Sequence, residues 1–497
     1  MPTPDKKIFK ILLFWLLAIK SGGPYKARLV ALGNLMKPGR DFDPNDTFCG
    51  NVSAVSIKIA LSLASNFNLI MKGGDLKGAY LVTRSNPDYV TYIATPQGYN
   101  IPAGYVLVAS GNLYGLQVAG HNFSKQFGIC VALCGFIFCQ YDPKFYWKFV
   151  ENRIIILIAH SDDFRWFGSE QDISEWDNLI AVFEKHGYSV KDCTDALFVG
   201  INITRESDGS YYMDQTKMID NIIKETNMSG AKDEHLPSPT TGISLSKRDN
   251  STPEDKEECD KYPYRKIIGM LMYCLVHTGI TYMYAINVLS RYCNSPGKRH
   301  IEFLKHLLRY VKWTAKDRLA FRAPTGPRTE QQIRDNVTLV FYADADLGGN
   351  PDNMHSQTSC IGYCCGNVIA WRSTDQGSVS TSTAESEIKA INFALKAEVI
   401  ACRGILIAMG FPQQPTPMYE DNQACVYASN HEHMTKNLRH LELTEMWFKQ
   451  EVAKGTCVLV KIDSKLNVAD IGTKRLNNPL FADLTCTLVD RSLRANL

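Results

Sequence analysis

Arg153-Ile-Ile-Ile-Leu-Ile-Ala-His-Ser-Asp-Asp163 is the stretch from which the rest of the chain can be read. A short β-branched apolar run that ends in polar residues is a buried strand. Asp162 and Asp163 stand at its tip. Adjacent carboxylates repel, so such a pair calls for bound cations or full solvation. Upstream, Asp75 follows Leu69-Ile70-Met71 across two glycines. Brought together, Asp75 and Asp162 would hold two Mg²⁺ (or Mn²⁺) ions for in-line phosphoryl transfer. A solvated Asp-Asp turn is the alternative for the pair taken alone.

Working outward from this strand, residues 25–235 mix strands and helices. Tyr25–Leu32 alternates as a strand, Val55–Phe67 has helical apolar spacing, and Met213–Thr226 reads as a strand end followed by a helix. His235–Glu258 is rich in Pro, Ser, Thr, Lys and Asp and reads as a linker. Residues 260–322 are expected to be helical, with Ile267, Met270, Leu271 and Leu275 on one stripe and Phe303, Leu307, Tyr310 and Val311 on another. A second linker is expected over Ala323–Asn336.

The last block reads as strand, hairpin, helix, strand, helix, strand, helix. Its elements are Val337–Ala343, a hairpin over Cys360–Arg372 turning at Gly366-Asn367, Ala384–Ala408, Pro417–Glu420, Leu438–Val452, Thr456–Ile462 and a helix from near Asn467. Ser382 or Thr383 supplies a cap for the long helix. That order predicts a mixed sheet with helices packed on it. Asp344 ends the first strand, Glu387 lies in the first turn of the long helix, Asp421 follows the short strand, and Asp470 opens the last helix. Four carboxylates from four elements make a cage for two divalent ions roughly 4 Å apart.

The composition fits this reading. The 497 residues suffice for roughly three domains. Lys+Arg 54 against Asp+Glu 51 leaves a net charge of +3, which excludes a grossly basic nucleic-acid coat but not a local basic groove. The 15 cysteines form no CxxC pair and read as reduced core residues of an intracellular protein rather than a zinc site. Ile8–Ile19 is too short and too interrupted to span a bilayer and is expected to be a buried strand or a damaged domain start, not a secretion signal.

In chain order, Tyr25-Lys-Ala-Arg-Leu-Val-Ala31, Asp75-Leu-Lys-Gly-Ala-Tyr-Leu81, Pro96-Gln-Gly-Tyr99, Leu113-Tyr-Gly-Leu116, Ser161-Asp-Asp163, Phe198-Val-Gly-Ile201 and Ile268-Gly-Met-Leu-Met-Tyr273 follow one another. They lead into Ala343-Asp-Ala-Asp346, Ser382-Thr-Ala-Glu-Ser-Glu387, Asp421-Asn-Gln423 and Ala469-Asp-Ile-Gly-Thr-Lys474. Over residues 25–480 this resembles the reverse transcriptase–RNase H region of a copia-type LTR-retrotransposon polyprotein. The resemblance implies an α/β (α+β) architecture: right-hand polymerase fingers and palm, a helical thumb or connection region, then an RNase H-like domain. It places a divergent leader at 1–24, fingers and palm at 25–235, linker and helical region at 236–336, the RNase H-like domain at 337–480 and a tail at 481–497. It implies RNA-directed DNA polymerase and ribonuclease H activities inside the cell, with no membrane partner. The implied partners are an RNA template, a DNA primer, RNA–DNA hybrids and dNTPs, and two Mg²⁺ (or Mn²⁺) ions are implied per site. By motif, Asp75, Asp162 and Asp163 are the polymerase carboxylates, Arg28 grips the incoming triphosphate, and Tyr80 gates against a ribose 2′-hydroxyl. Asp344, Glu387, Asp421 and Asp470 match the RNase H metal ligands.

With no protease, integrase core or zinc knuckle visible, the expectation is a fragment or decayed copy, and departures from the motifs add a second one: an impaired relic that at most binds nucleic acid. His160-Ser161 stands where the family has Tyr-Val, Val118 replaces a glutamine that helps hold the nucleotide, Thr278-Gly279-Ile280 replaces Thr-Arg-Pro, and Leu347 replaces a tryptophan. Lys305, Arg309, Lys312 and Lys316 form a basic stripe that a purely nucleic-acid-binding protein would use.

Overall fold

The computed structural model describes residues 7–19, 25–84, 89–195, 197–239, 245–247, 253–430 and 446–494. The chain divides into two compact units, residues 1–52 with 70–196, and residues 53–69 with 197–497. The architecture is the mixed α/β one expected, with a six-stranded main sheet in the first unit and helices with a four-stranded and a five-stranded sheet in the second.

In the first unit the strands are β1 (Lys7–Ile11), β2 (Leu13–Ile19), β3 (Tyr25–Ala31), β4 (Ile70–Lys77), β5 (Tyr89–Ile93), β6 (Leu107–Val108), β7 (Ile137–Phe138), β8 (Phe145–Val150), β9 (Arg153–His160), β10 (Asp163–Gly168) and β11 (Ser189–Asp192). The main sheet has the order β11-β4-β10-β9-β8-β7. Helices Ala119–Leu133 and Ile173–Lys185 supply Phe123, Phe127, Trp176, Leu179 and Phe183 to a core that includes Leu157, Phe164 and Trp166 of the sheet. β9 is buried as its composition requires, from Ile154 through Ala159.

The N-terminal apolar segment departs from expectation. It is two strands, and β2 is not buried: Leu17 and Ile19 are 73% and 69% exposed. β2 pairs only with β3 in a two-stranded ribbon, so its side chains gain no second layer.

In the second unit, β12 (Asn202–Arg205), β13 (Tyr211–Asp214), β14 (Arg318–Phe321) and β20 (Val489–Asp490) form one sheet. Helices Tyr264–His277, Met283–Ser290 and Lys298–Trp313 pack around Leu271, Ile286, Leu304 and Leu307. The helical expectation over 260–322 therefore fails only at its end, where β14 pairs with β13. The expected linker Ala323–Asn336 contains a helix, Glu330–Asp335, closed by a capping box between Thr329 and Gln332. Parts of the His235–Glu258 linker lie outside the described residues, and a helix, Pro253–Asp260, begins inside it.

The second sheet of this unit contains β15 (Leu339–Ala345), β16 (His355–Cys364), β17 (Asn367–Val379), β18 (Thr416–Glu420) and β19 (Cys457–Lys461) in the order β17-β16-β15-β18-β19. β15, β16 and β17 are antiparallel, whereas β18 and β19 join in parallel beside β15. Helix Thr383–Ala394 starts at Ser382, whose hydroxyl accepts from the Glu385 N–H at 3.2 Å, and it continues through a π-helical turn at Leu395–Val399 into Ile400–Ala408. Of the helix expected over Leu438–Val452, residues 438–445 lie outside the described residues, and Trp447–Ala453 is helical. Near Asn467 the chain makes a 3₁₀ turn, Val468–Gly472, and the next α-helix is Asn478–Thr485.

Candidate active sites

In the first unit, β9 and β10 form a hairpin whose two connecting residues are Ser161 and Asp162, with His160 opposite Asp163. Ser161 takes a left-handed φ of 55°, which closes the turn. β4 lies antiparallel on the other side of β10 with Asp75 opposite Asp163, and the Leu76 N–H donates to the Asp162 carbonyl at 2.9 Å. Three carboxylates thus meet at one end of the sheet. Burial, and the charge of Asp162, raise the pKa of Asp75. Burial also pushes Asp163 up to about 6, against the pull of Arg165.

Arg165 is a functional neighbour that no motif singled out. It is fully buried, and its guanidinium donates to Asp163 Oδ1 at 2.5 Å and to the Phe164 carbonyl at 3.0 Å. Gly73 is opposite it on β4, and a Cβ there would lie 2.9 Å from the guanidinium. A Cβ on Gly74 would lie 2.3 Å from the Phe164 ring. The two glycines before Asp75 therefore make room for β10. Among the described residues no hydrogen bond engages the carboxylates of Asp75 or Asp162.

Tyr80 is half-buried, shares a 2.9 Å hydrogen bond with Ser161, and packs edge-on against Tyr114 and Phe123. Arg28 is exposed on β3 with its guanidinium 4.9 Å from the Tyr114 ring centre. Tyr114 thus connects the two residues expected at the nucleotide. Val118 precedes helix Ala119–Leu133 and packs beside Leu116 and Ala119, while Gln117 donates to the Gly33 carbonyl at 3.2 Å.

In the second unit, Asp344 lies on the central strand β15 and is fully buried. Glu387 faces it from helix Thr383–Ala394, and Asp421 follows β18. One carboxylate oxygen from each of these three lies within 4.8 Å of the others, the one group of three or more acidic, histidine or cysteine side chains so placed among the described residues. Asp470 is outside that 4.8 Å group but adjoins Asp344. The Asn467 amide donates to the Ala343 carbonyl at 2.8 Å, which ties its 3₁₀ turn to β15. The Lys474 ammonium then bridges Asp470 at 2.8 Å and Asp344 at 3.2 Å, and Thr473 donates to Asp344 as well.

The electrostatics are those of a crowded acidic centre. Burial, followed by the Asp470 charge, pushes Asp344 up to about 7. Burial raises Glu387 strongly, and the neighbouring Glu420, Asp344 and Asp421 add to it. One oxygen of Glu387 is buried without a hydrogen-bond partner. An unsatisfied buried carboxylate beside two others, all hard oxygen donors, is a site that fits Mg²⁺ or Mn²⁺.

Residues 4–240 match the family described as reverse transcriptase (RNA-dependent DNA polymerase). A Pol polyprotein from transposon TNT 1-94 of Nicotiana tabacum is 30% identical over 475 residues, 93% of this chain and 34% of that polyprotein. Together they support a copia-type reverse transcriptase region. The Pol polyprotein of transposon RE1 from Arabidopsis thaliana is 26% identical over 97% of this chain and 32% of its own length. The chain thus spans about one third of the length of these curated relatives. A foamy viral protease-reverse transcriptase in complex with double-stranded DNA aligns with 90% of this chain and 64% of its own, at 12% identity and a TM-score of 0.48.

The basic stripe is mostly engaged within the protein. Arg309 pairs with Glu234 at 3.2 Å and Lys312 with Asp233 at 3.0 Å, while Lys316 lies beyond the end of its helix. Eleven of the 15 cysteines are buried and none of the described ones is bridged. No helix among the described residues is long and apolar enough to cross a membrane.

Proposed function

We propose that this region carries two phosphoryl-transfer centres, an RNA-directed DNA polymerase in the first unit and a ribonuclease H in the second. The observation that carries the reading is the Asp344–Glu387–Asp421 triad with its unsatisfied buried oxygen. Two Mg²⁺ (or Mn²⁺) ions, when bound, would activate the attacking oxygen and steady the leaving one. Asp344, Glu387, Asp421 and Asp470 would hold them in the ribonuclease centre, and Asp75, Asp162 and Asp163 in the polymerase centre. At the polymerase centre Arg165 orients the Asp163 carboxylate through one of its oxygens. Arg28 would hold the triphosphate. Tyr80, steadied by Ser161 and Tyr114, would face the sugar and exclude a 2′-hydroxyl.

On this reading the fingers and palm span 25–235, the linker and helical region 236–336 and the ribonuclease domain 337–480, with leader and tail outside them. The partners are RNA template, DNA primer, RNA–DNA hybrid and dNTPs, met in a cytoplasmic particle or the nucleus.

Ribonuclease activity outlasts polymerase activity in this copy. The palm aspartates make no triad comparable to the one in the second unit among the described residues, and Val118 cannot donate a hydrogen bond to a nucleotide. A hybrid-cleavage assay in Mg²⁺ beside a primer-extension assay tests this. Cleavage with weak extension is expected, and strong extension without cleavage would overturn it. If neither Asp162→Asn nor Asp344→Asn changes any measured activity, the chain is a catalytically silent relic.

A further inference from the structure

β18 alternates, with Thr416, Met418 and Glu420 buried and Pro417 and Tyr419 half-buried between them. Glu420 therefore occupies a strand face that otherwise turns inward, and it is fully buried. One of its carboxylate oxygens accepts from the Asn422 N–H at 2.9 Å, and the other is buried without a hydrogen-bond partner. No Lys or Arg pairs with it among the described residues. The charges that act on it are those of Asp344 and Asp421, and Glu420 is in turn the strongest charged neighbour of Glu387. Lys474, the cation at this centre, is committed to Asp344 and Asp470.

A buried carboxylate without a counter-charge is destabilising. Two such groups side by side, Glu387 and Glu420, each with an unsatisfied oxygen, form an acceptor set that a hard divalent cation satisfies and an apolar contact does not. We propose that Glu420 is a fifth carboxylate of the ribonuclease-type centre, which strengthens divalent-cation binding at Asp344, Glu387 and Asp421 by adding charge and an acceptor oxygen beside Glu387. This rests on the reading that the centre holds a metal.

The test is titration of the EDTA-stripped full chain with Mn²⁺ by calorimetry, with thermal midpoints measured with and without Mn²⁺. The component of the isotherm that Asp344→Asn abolishes belongs to this centre. Glu420→Gln keeps the shape and the acceptor for Asn422 but removes the charge. It should lower the Mn²⁺ affinity of that component about tenfold, raise the metal-free midpoint and shrink the midpoint gain on adding Mn²⁺. Glu420→Met, which suits an inward strand face, should give the same loss and serves if the glutamine variant does not fold. Wild-type affinity in either folded variant overturns the role of Glu420 alone. A wild-type isotherm that Asp344→Asn leaves unchanged overturns the metal centre itself.

Discussion

Asp344→Asn is the substitution whose consequences the structure fixes most tightly. The wild-type carboxyl moves from 3.8 to about 7 on folding, chiefly through burial. Each tenfold change in proton affinity is worth about 1.4 kcal/mol, so ionising Asp344 inside the metal-free fold costs on the order of 4 kcal/mol relative to the unfolded chain. The sign follows from the raised value. The native state binds the proton more tightly, so this stability is complete below 3.8 and is lost as pH rises through about 7. Asparagine cannot ionise, so the variant keeps at pH 8 what the wild type loses. Glu387 is raised in the same direction and takes up part of the same charge, which makes 4 kcal/mol a ceiling. At about 2 °C per kcal/mol the variant should melt about 4–8 °C above the wild type at pH 8 in EDTA. At pH 5 the gap should shrink to less than half, because only the unfolded carboxyl is ionised there. In Mg²⁺ the gap should narrow, because the wild type gains about 2.7 kcal/mol at a metal concentration of 100 Kd and the variant has lost the central ligand. The assay is the thermal midpoint of the full chain at the two pH values, with EDTA and with Mg²⁺. A variant that melts at or below the wild type in EDTA at pH 8, with a gap that ignores pH, would refute the reasoning.

Asp162→Asn should abolish primer extension and leave hybrid cleavage at the wild-type rate, since it touches only the first unit; parallel loss of cleavage would contradict the assignment of two centres. Arg165→Met strands the Asp163 carboxylate next to fully buried neighbours and should destabilise the palm sheet by about 3 kcal/mol, read as a lower urea midpoint by circular dichroism. Tyr80→Val should raise ribonucleotide over deoxyribonucleotide incorporation by about tenfold or more in a primer-extension assay.

The strand that places Asp162 and Asp163 was legible because six consecutive apolar residues admit few other structures. The same holds for the caged order of the last block, where Gly366 turns a hairpin with φ of 77° and Ser382 caps a helix. What was not legible depended on partners far away in sequence. β14 is a four-residue strand between helices, and β20 joins it from a segment whose composition carries no signal. They are locked by Arg318, which binds Asp490 172 positions away. Arg165 lies outside every motif and expected strand, and its role depends on Gly73 standing opposite. Glu420 was hidden differently. It adjoins the motif residue Asp421 and so passed as the end of a strand, although its alternation with Thr416 and Met418 already pointed it inward. Thr329 and Gln332, by contrast, spelled a capping box that a linker-like composition obscured.

The two centres differ in how their charge is balanced, and that difference decides how each should respond to metal. At the palm, Arg165 neutralises Asp163 from within the sheet, while Asp75 and Asp162 remain partly exposed to water. Solvent can carry their charge, so removing metal there should change activity with little effect on stability. At the centre in the second unit, Asp344, Glu387 and Glu420 are all buried and the Lys474 ammonium meets only the first of them. Water cannot carry that charge, and protons or a divalent ion must. The near balance of 54 basic and 51 acidic residues therefore conceals a local excess of buried acid, and metal-dependent stability should be confined to the second unit. Limited proteolysis in EDTA and in Mg²⁺ separates the cases: protection by Mg²⁺ should appear at cleavage sites within residues 337–480 and be absent from residues 70–196, and equal protection of both would show that burial does not set the difference.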